Sequence, residues 1–271
     1  MKNYIQLIFT NLAEGQQEML IARLSELDVE GFEETENGLN VFLKESVYER
    51  NRVQEAVADP AIVFTVTLIP EQNWNSSWES NFEPVRVDDF VSIRAGFHPP
   101  AQEVQYEIII TPKMSFGTGH HATTHLMVQE MREIDFKGKT VFDFGTGTGI
   151  LAILAEMLGA KKILAIDHDD WSISNAAENI VTNQCERIIL EKGDRLKQDD
   201  RYDIILANIN KNVILEHFQS LVLHLAEGGT LLLSGLLKED EADLRARTAE
   251  SPLRISRVLE RNNWICLKIN H

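Results

Sequence analysis

A chain of 271 residues can bury a core without disulfide or metal staples. Its 44% hydrophobic and 25% charged residues exclude a disordered, collagen-like or coiled-coil protein. With 26 Lys and Arg against 42 Asp and Glu, the net charge is −16; phosphate is repelled, so neither nucleic-acid nor membrane-surface binding is expected. Two cysteines, Cys185 and Cys266, no CxxC pair, no signal-like start and no apolar run of ~18 residues predict a soluble protein of the reducing cytoplasm.

In chain order, Tyr4 to Thr10 is a predicted strand, and Leu20, Ile21, Leu24 and Leu27 recur at helical spacing. Two strands then flank Asn37-Gly38, a dipeptide that supplies the positive φ of a tight hairpin. Ser46 with Glu49 three residues later predicts a capping box for a second helix, through Val53, Ala56 and Val57. A β-branched run from Ala61 to Ile69 ends at Pro70. The order β-α-β-β-α-β is the split βαβ, ferredoxin-like pattern, and residues 1–70 are assigned to a small α+β substrate-recognition domain. Twelve acidic and five basic residues there give −7, and Glu26, Asp28, Glu30, Glu33, Glu34 and Glu36 crowd one stretch. That stretch is either a solvated face or a docking surface for a basic partner.

Residues 71–100 are assigned to a linker with a short helix, because Trp74, Trp78 and Phe82 recur every four residues. From Gln105 strands and helices alternate. Strands are expected at 105–111, 140–144, 162–167, 188–191, 203–208, 230–234, 253–260 and 264–269, with helices near 121–133, 149–159, 170–183, 211–226 and 238–250. Residues 101–271 are therefore assigned to a doubly wound α/β domain, a Rossmann-like sheet. Its last two strands are joined too tightly for a crossover and form an antiparallel C-terminal hairpin.

The site-bearing motif is Asp143-Phe144-Gly145-Thr146-Gly147-Thr148-Gly149, which follows a strand and opens a helix. Glycines let the chain turn and let a ligand approach without a Cβ in the way. Asp167, at the end of the next strand, can accept both ribose hydroxyls of an adenosine ligand. Two ligands compete. NAD fits Gly147-x-Gly149-x-x-Ala152 and would make the chain an NAD-linked oxidoreductase. S-adenosylmethionine (SAM) is favoured by Asp143, placed to hold its α-ammonium group, by the terminal hairpin, and by Ala207-Asn208-Ile209 at the sheet's carboxyl edge. A non-catalytic nucleoside-binding scaffold is the third reading, and the intact Asp143, glycines and Asp167 argue against it. His121 and His125 have zinc-compatible spacing but lack the Glu of HExxH and an obvious third ligand, so no metal is expected.

Phe116-Gly117-Thr118-Gly119-His120 with Thr123-Thr124, the Asp143–Ala152 stretch and Ala207-Asn208-Ile209 together resemble the bacterial ribosomal protein methyltransferase family PrmA, over nearly the whole chain. The resemblance implies a SAM-dependent protein N-methyltransferase. It would act on lysine side chains and the N-terminal amine of the large-subunit ribosomal protein L11, a basic partner. By position it places SAM contacts at Thr124, Gly145, Asp167 and Asn208, beside Asp143 and Gly147 from the loop. Asn208 is the expected catalytic residue, orienting the amine or the ligand together with the carbonyl beside it. His120 and His121 are candidate general bases. The chain departs from the expected pattern at Asn210-Lys211 and lacks the aromatic of NPPY-type N-methyltransferases.

Overall fold

Alternation sets the first sheet: in β1 (Tyr4–Thr10) every second residue, Ile5, Leu7 and Phe9, points inward and is buried. The computed structural model describes residues 3–13, 15–35, 38–69, 83–112, 119–195 and 200–271, which fall into two compact units, 1–81 and 82–271.

In the first unit, β1, β2 (Val29–Thr35), β3 (Gly38–Lys44) and β4 (Phe64–Ile69) form an antiparallel sheet in the order β2-β3-β1-β4. Helix α1 (Gln16–Leu24) contributes Leu20, Ile21 and Leu24 to the core, and α2 (Arg50–Val57) contributes Val53 and Val57. Leu27 lies beyond the end of α1. The capping box at Ser46 and Glu49 is not formed: residues 45–47 make one 3₁₀ turn, and α2 begins at Arg50 with Glu49 as a cap that makes no side-chain bond. The hairpin turn at 36–37 and the Trp74, Trp78, Phe82 stripe lie outside the described residues.

The second unit holds a seven-stranded sheet in the order β10-β9-β8-β11-β12-β14-β13. Its parallel strands are β8 (Thr140–Phe144), β9 (Lys162–Asp167), β10 (Ile188–Lys192), β11 (Tyr202–Asn208) and β12 (Leu225–Leu237). β14 (Trp264–Asn270) runs antiparallel to both β12 and β13 (Arg254–Arg261). Asn262 and Asn263 join the last two strands with φ of 49° and 63°, the double positive φ of a two-residue hairpin turn. The helices are α3 (Ala122–Met131), α4 (Ile150–Met157), α5 (Asp170–Thr182), α6 (Lys211–His224) and α7 (Glu241–Ala249). α6 packs Ile214, Phe218 and Leu221 onto Phe142, Ile205, Leu231 and Leu267 of the sheet.

Two expectations are corrected. Residues 85–95 are not a linker: β5 (Val85–Val87) and β6 (Val91–Ala95) are strands, and all of β6 is buried. The strand near Gln105, β7 (Tyr106–Ile110), does not join the large sheet; it pairs with β6 in a separate sheet β5-β6-β7. Asn179 of α5 and Asn183, just past its end, fix this sheet to the rest of the unit. Asn183 accepts from Ile109 N at 2.8 Å and donates to Ile109 O at 2.6 Å, while Asn179 accepts from Thr111 N at 2.8 Å. Arg94, buried in β6, is neutralised by a two-pronged pair with Glu107 at 2.8 Å. No helix among the described residues is long and apolar enough to cross a membrane.

Candidate active site

The loop after β8 turns on three glycines with positive φ: Gly145 at 72°, Gly147 at 53° and Gly149 at 83°. Gly145 N and Thr146 N both donate to Ile166 O, at 3.0 and 2.9 Å, so the loop is tied to the end of the neighbouring strand. Asp167 closes that tie: its Oδ2 accepts from Gly147 N at 2.9 Å and its Oδ1 from Asp169 N at 3.0 Å. Gly149 caps α4, and a Cβ there would lie 3.4 Å from Ala176 of α5, so glycine permits close helix packing. Asn179 also donates to Thr148 O at 2.8 Å, holding the far side of the loop.

Asp143 is 1% exposed. Its Oδ2 accepts from the Thr146 hydroxyl at 2.6 Å, whereas Oδ1 has no hydrogen-bond partner among the described residues. Burial pushes its pKa up to about 7; the Thr146 hydroxyl and the Ala152 N–H partly oppose the rise, and the charge of Asp167 adds to it. A buried carboxylate with one unused oxygen beside a glycine loop is suited to a cationic group.

Thr124 and Asn208 come together from opposite sides of the chain. Thr124 lies in the first turn of α3, and Asn208 ends β11; Asn208 Nδ2 points at Thr124 Oγ1 across 3.5 Å. Asn208 Oδ1 is buried and has no hydrogen-bond partner among the described residues. Ile209 links this pair to the glycine loop, because a Cβ on Gly145 would collide with Ile209 Cγ2. Asp143, Gly145, Gly147, Asp167, Thr124 and Asn208 therefore share the carboxyl edge of β8, β9 and β11, where ligands of such sheets bind.

The histidines separate. His121 Nδ1 accepts from Thr123 N at 3.3 Å and caps α3, with its ring edge-on to Trp264 at 4.5 Å. Burial pushes its pKa down to about 4, so it is neutral near pH 7 and a poor proton acceptor. His125 instead meets Arg261 at 2.9 Å. Among the described residues no group of three His, Cys, Asp or Glu side chains could hold a metal. Residues 113–118, which include Phe116-Gly117-Thr118 of the motif, lie outside the described residues. The supporting asparagines and the capping role of His121 were missed in the sequence, since single polar residues on a helix carry no spacing signal.

Residues 10–271 match the family described as Ribosomal protein L11 methyltransferase (PrmA). The protein of that name from Phocaeicola vulgatus is 35% identical over 275 residues, covering 98% of each chain. The one from Porphyromonas gingivalis is 39% identical over 263 residues, 94% of this chain and 91% of that protein. A crystal structure of ribosomal protein L11 methylase from Lactobacillus delbrueckii subsp. bulgaricus is similar with a TM-score of 0.66 and 32% identity, over 70% of this chain and 99% of that one.

Proposed function

The chain belongs to the ribosomal protein L11 methyltransferase family, and from that premise we propose that it methylates lysine ε-amines and the N-terminal α-amine of ribosomal protein L11. The methyl donor of this methyltransferase is SAM, and the NAD-linked and scaffold readings are set aside with it.

The residues fit such a ligand. Asp143 Oδ1, buried and without a hydrogen bond among the described residues, suits the α-ammonium group; Asp167 suits the ribose hydroxyls; and Gly145 and Gly147, both with positive φ, make the turn that presents the loop's main chain. When bound, SAM supplies a sulfonium methyl that an amine lone pair can take. The observation that carries the amine side of the proposal is Asn208 Oδ1: an acceptor with no hydrogen-bond partner among the described residues can hold an amine N–H at the sheet edge and turn the lone pair inward. The Ile209 carbonyl oxygen lies against Gly235, where a Cβ would overlap it.

A free lysine amine has a pKa of about 10.4 and is mostly protonated at neutral pH. Leaving water for the sheet edge disfavours the charged form, so the amine gives its proton to solvent as it enters. No residue forms a covalent bond. Placement is the main contribution, worth up to roughly 7–11 kcal/mol for well-aligned reactants.

The test is to incubate the purified chain with SAM and ribosomal protein L11 and map the methyl groups by peptide mass spectrometry. Methyl-lysine and a methylated N-terminus are expected. Methylation confined to arginine or glutamine would overturn the amine assignment. Asn208→Ala should reduce kcat at least tenfold.

A further inference from the structure

The geometry points to Gly235 as a positioning residue for the methyl-transfer site, acting through the main chain of Ile209 on Asn208. The inference rests on the amine-orienting role of Asn208.

The starting observation is a break in an otherwise regular strand. β12 pairs with β14 in register up to Leu233↔Leu267 and resumes at Leu236↔Ile265, so an extra residue is accommodated between them. Gly235 sits in this bulge with φ of 83°, a conformation costly for other residues. Ser234, fully buried, repairs the ladder: its hydroxyl donates to Ile265 O at 2.8 Å. On its other side, Ser234 O accepts from Ile209 N at 3.2 Å, extending the β11–β12 pairing one residue past Asn208.

The bulge makes room for that extension. A Cβ on Gly235 would overlap the Ile209 carbonyl oxygen and would lie 2.7 Å from its carbon and 3.0 Å from its nitrogen. Across the peptide, the Ile209 side chain abuts Gly145 of the cofactor loop, where a Cβ would collide with Cγ2. The peptide that follows Asn208 is therefore seated between two missing β-carbons, one on the glycine loop and one on the bulge. With Ile209 fixed on both sides, Asn208 is held facing Thr124 and its Oδ1 stays aimed at the edge where the amine would sit. Gly235 touches neither SAM nor amine; its contribution is the absence of an atom.

A second glycine of the same strand serves as control. Gly228 also has positive φ, 72°, but a Cβ there would meet nothing within 4 Å. Gly228→Ala therefore carries the backbone strain without the collision. The experiment compares Gly235→Ala with Gly228→Ala for kcat on ribosomal protein L11 per folded molecule, SAM Kd by calorimetry, and the Asn208 side-chain amide resonance by NMR. For Gly235→Ala the expected result is a fall in kcat of at least tenfold, a SAM Kd within threefold of the parent and a displaced Asn208 amide signal. Gly228→Ala should leave all three at parental values. Ile209→Ala loosens the same peptide from the other side without touching the bulge, and should lower kcat with SAM Kd held, even if Gly235→Ala does not fold. Parental kcat and an unmoved Asn208 signal in Gly235→Ala, or in Ile209→Ala should Gly235→Ala not fold, would overturn the inference, as would equal losses in the two glycine variants. Absence of turnover by the parent protein would instead refute the methylation reading, while the amide signal would still report whether Gly235 places Asn208.

Discussion

Asp143 combines full burial, an oxygen with no hydrogen bond among the described residues and a pKa raised to about 7. Ionising it in the ligand-free protein costs on the order of 4 kcal/mol relative to an ordinary carboxylate, which a bound ammonium would offset. SAM binding should therefore release close to one proton at about pH 6 and almost none at about pH 8.5, as calorimetry in buffers of different ionisation heat can read. Asp143→Asn should abolish the release; proton-independent binding by the parent protein would show that the ammonium lies elsewhere. Because the folded pKa is raised, the stabilising contribution of Asp143 is complete below its ordinary value of 3.8 and is lost as pH rises through about 7. The thermal midpoint of the parent, minus that of Asp143→Asn, should fall across that window. Asp167 holds the loop through Gly147 N and Asp169 N as well as suiting the ribose. Asp167→Ala should weaken SAM at least tenfold, about 1.4 kcal/mol, and a Kd within threefold of the parent would remove the ribose assignment. Asp143, Asp167 and the glycines were legible in the sequence because a tight loop between strand and helix needs residues with positive φ at fixed spacing. Gly235 was not, since a lone glycine in a strand gives no sign of the backbone that approaches it.

At the scale of elements, α3 shows how a helix carrying Thr124 is held. Glu130, 1% exposed near its end, faces Lys268 of β14 at 3.2 Å and Arg257 of β13 at 3.5 Å. Neither carboxylate oxygen makes a hydrogen bond among the described residues, so the attraction is of charge for charge. Glu130→Gln would leave Lys268, largely covered, without its counter-ion, while Arg257 is half exposed and can turn to water. The expected loss is ~1–3 kcal/mol, seen as a fall of several degrees in the thermal midpoint; an unchanged midpoint would show that the pair contributes nothing. Strand and helix positions in residues 140–271 were legible because periodicity marks them, and the Asn262-Asn263 hairpin followed from turn length. Pairing was not: the apolar run of β7 is equally suited to a large sheet or a small one, and it pairs with β6 while Asn183 and Asn179, some seventy residues on, take its other main-chain groups at Ile109 and Thr111. The capping box failed for a related reason. Ser46 and Glu49 have the right spacing, but the chain closes a 3₁₀ turn first and starts the helix at Arg50.

At the scale of the whole molecule, the two units divide the work unequally. Every residue assigned to SAM or to the amine lies in 82–271, and residues 1–70 carry a net charge of −7 with no assigned role there. We propose that the first unit recognises the protein substrate. An enzyme that modifies several amines on one protein gains from holding that protein while presenting different sites, because a tethered substrate has a high effective concentration. Opposite charge would add steering, screened by salt over ~8–10 Å. The acids are not all equally available for this. Glu30 is paired with Lys44 at 2.6 Å, and Glu33 accepts from Asn40 at 2.7 Å. Replacing Glu30, Glu33, Glu34 and Glu36 by Gln should accordingly have a modest effect, confined to association rate at low salt. Removing residues 1–81 should be severe in one assay and mild in another. SAM affinity should stay within about threefold, under ~0.7 kcal/mol, since Asp143, Asp167 and Asn208 and the helices that support them are retained. Methylation of intact ribosomal protein L11 should be nearly abolished. If the truncated chain binds SAM normally and methylates the intact protein at the full rate, the recognition role is wrong and the acidic stretch is a solvated face; if SAM binding is lost as well, the second unit depends on the first for its fold.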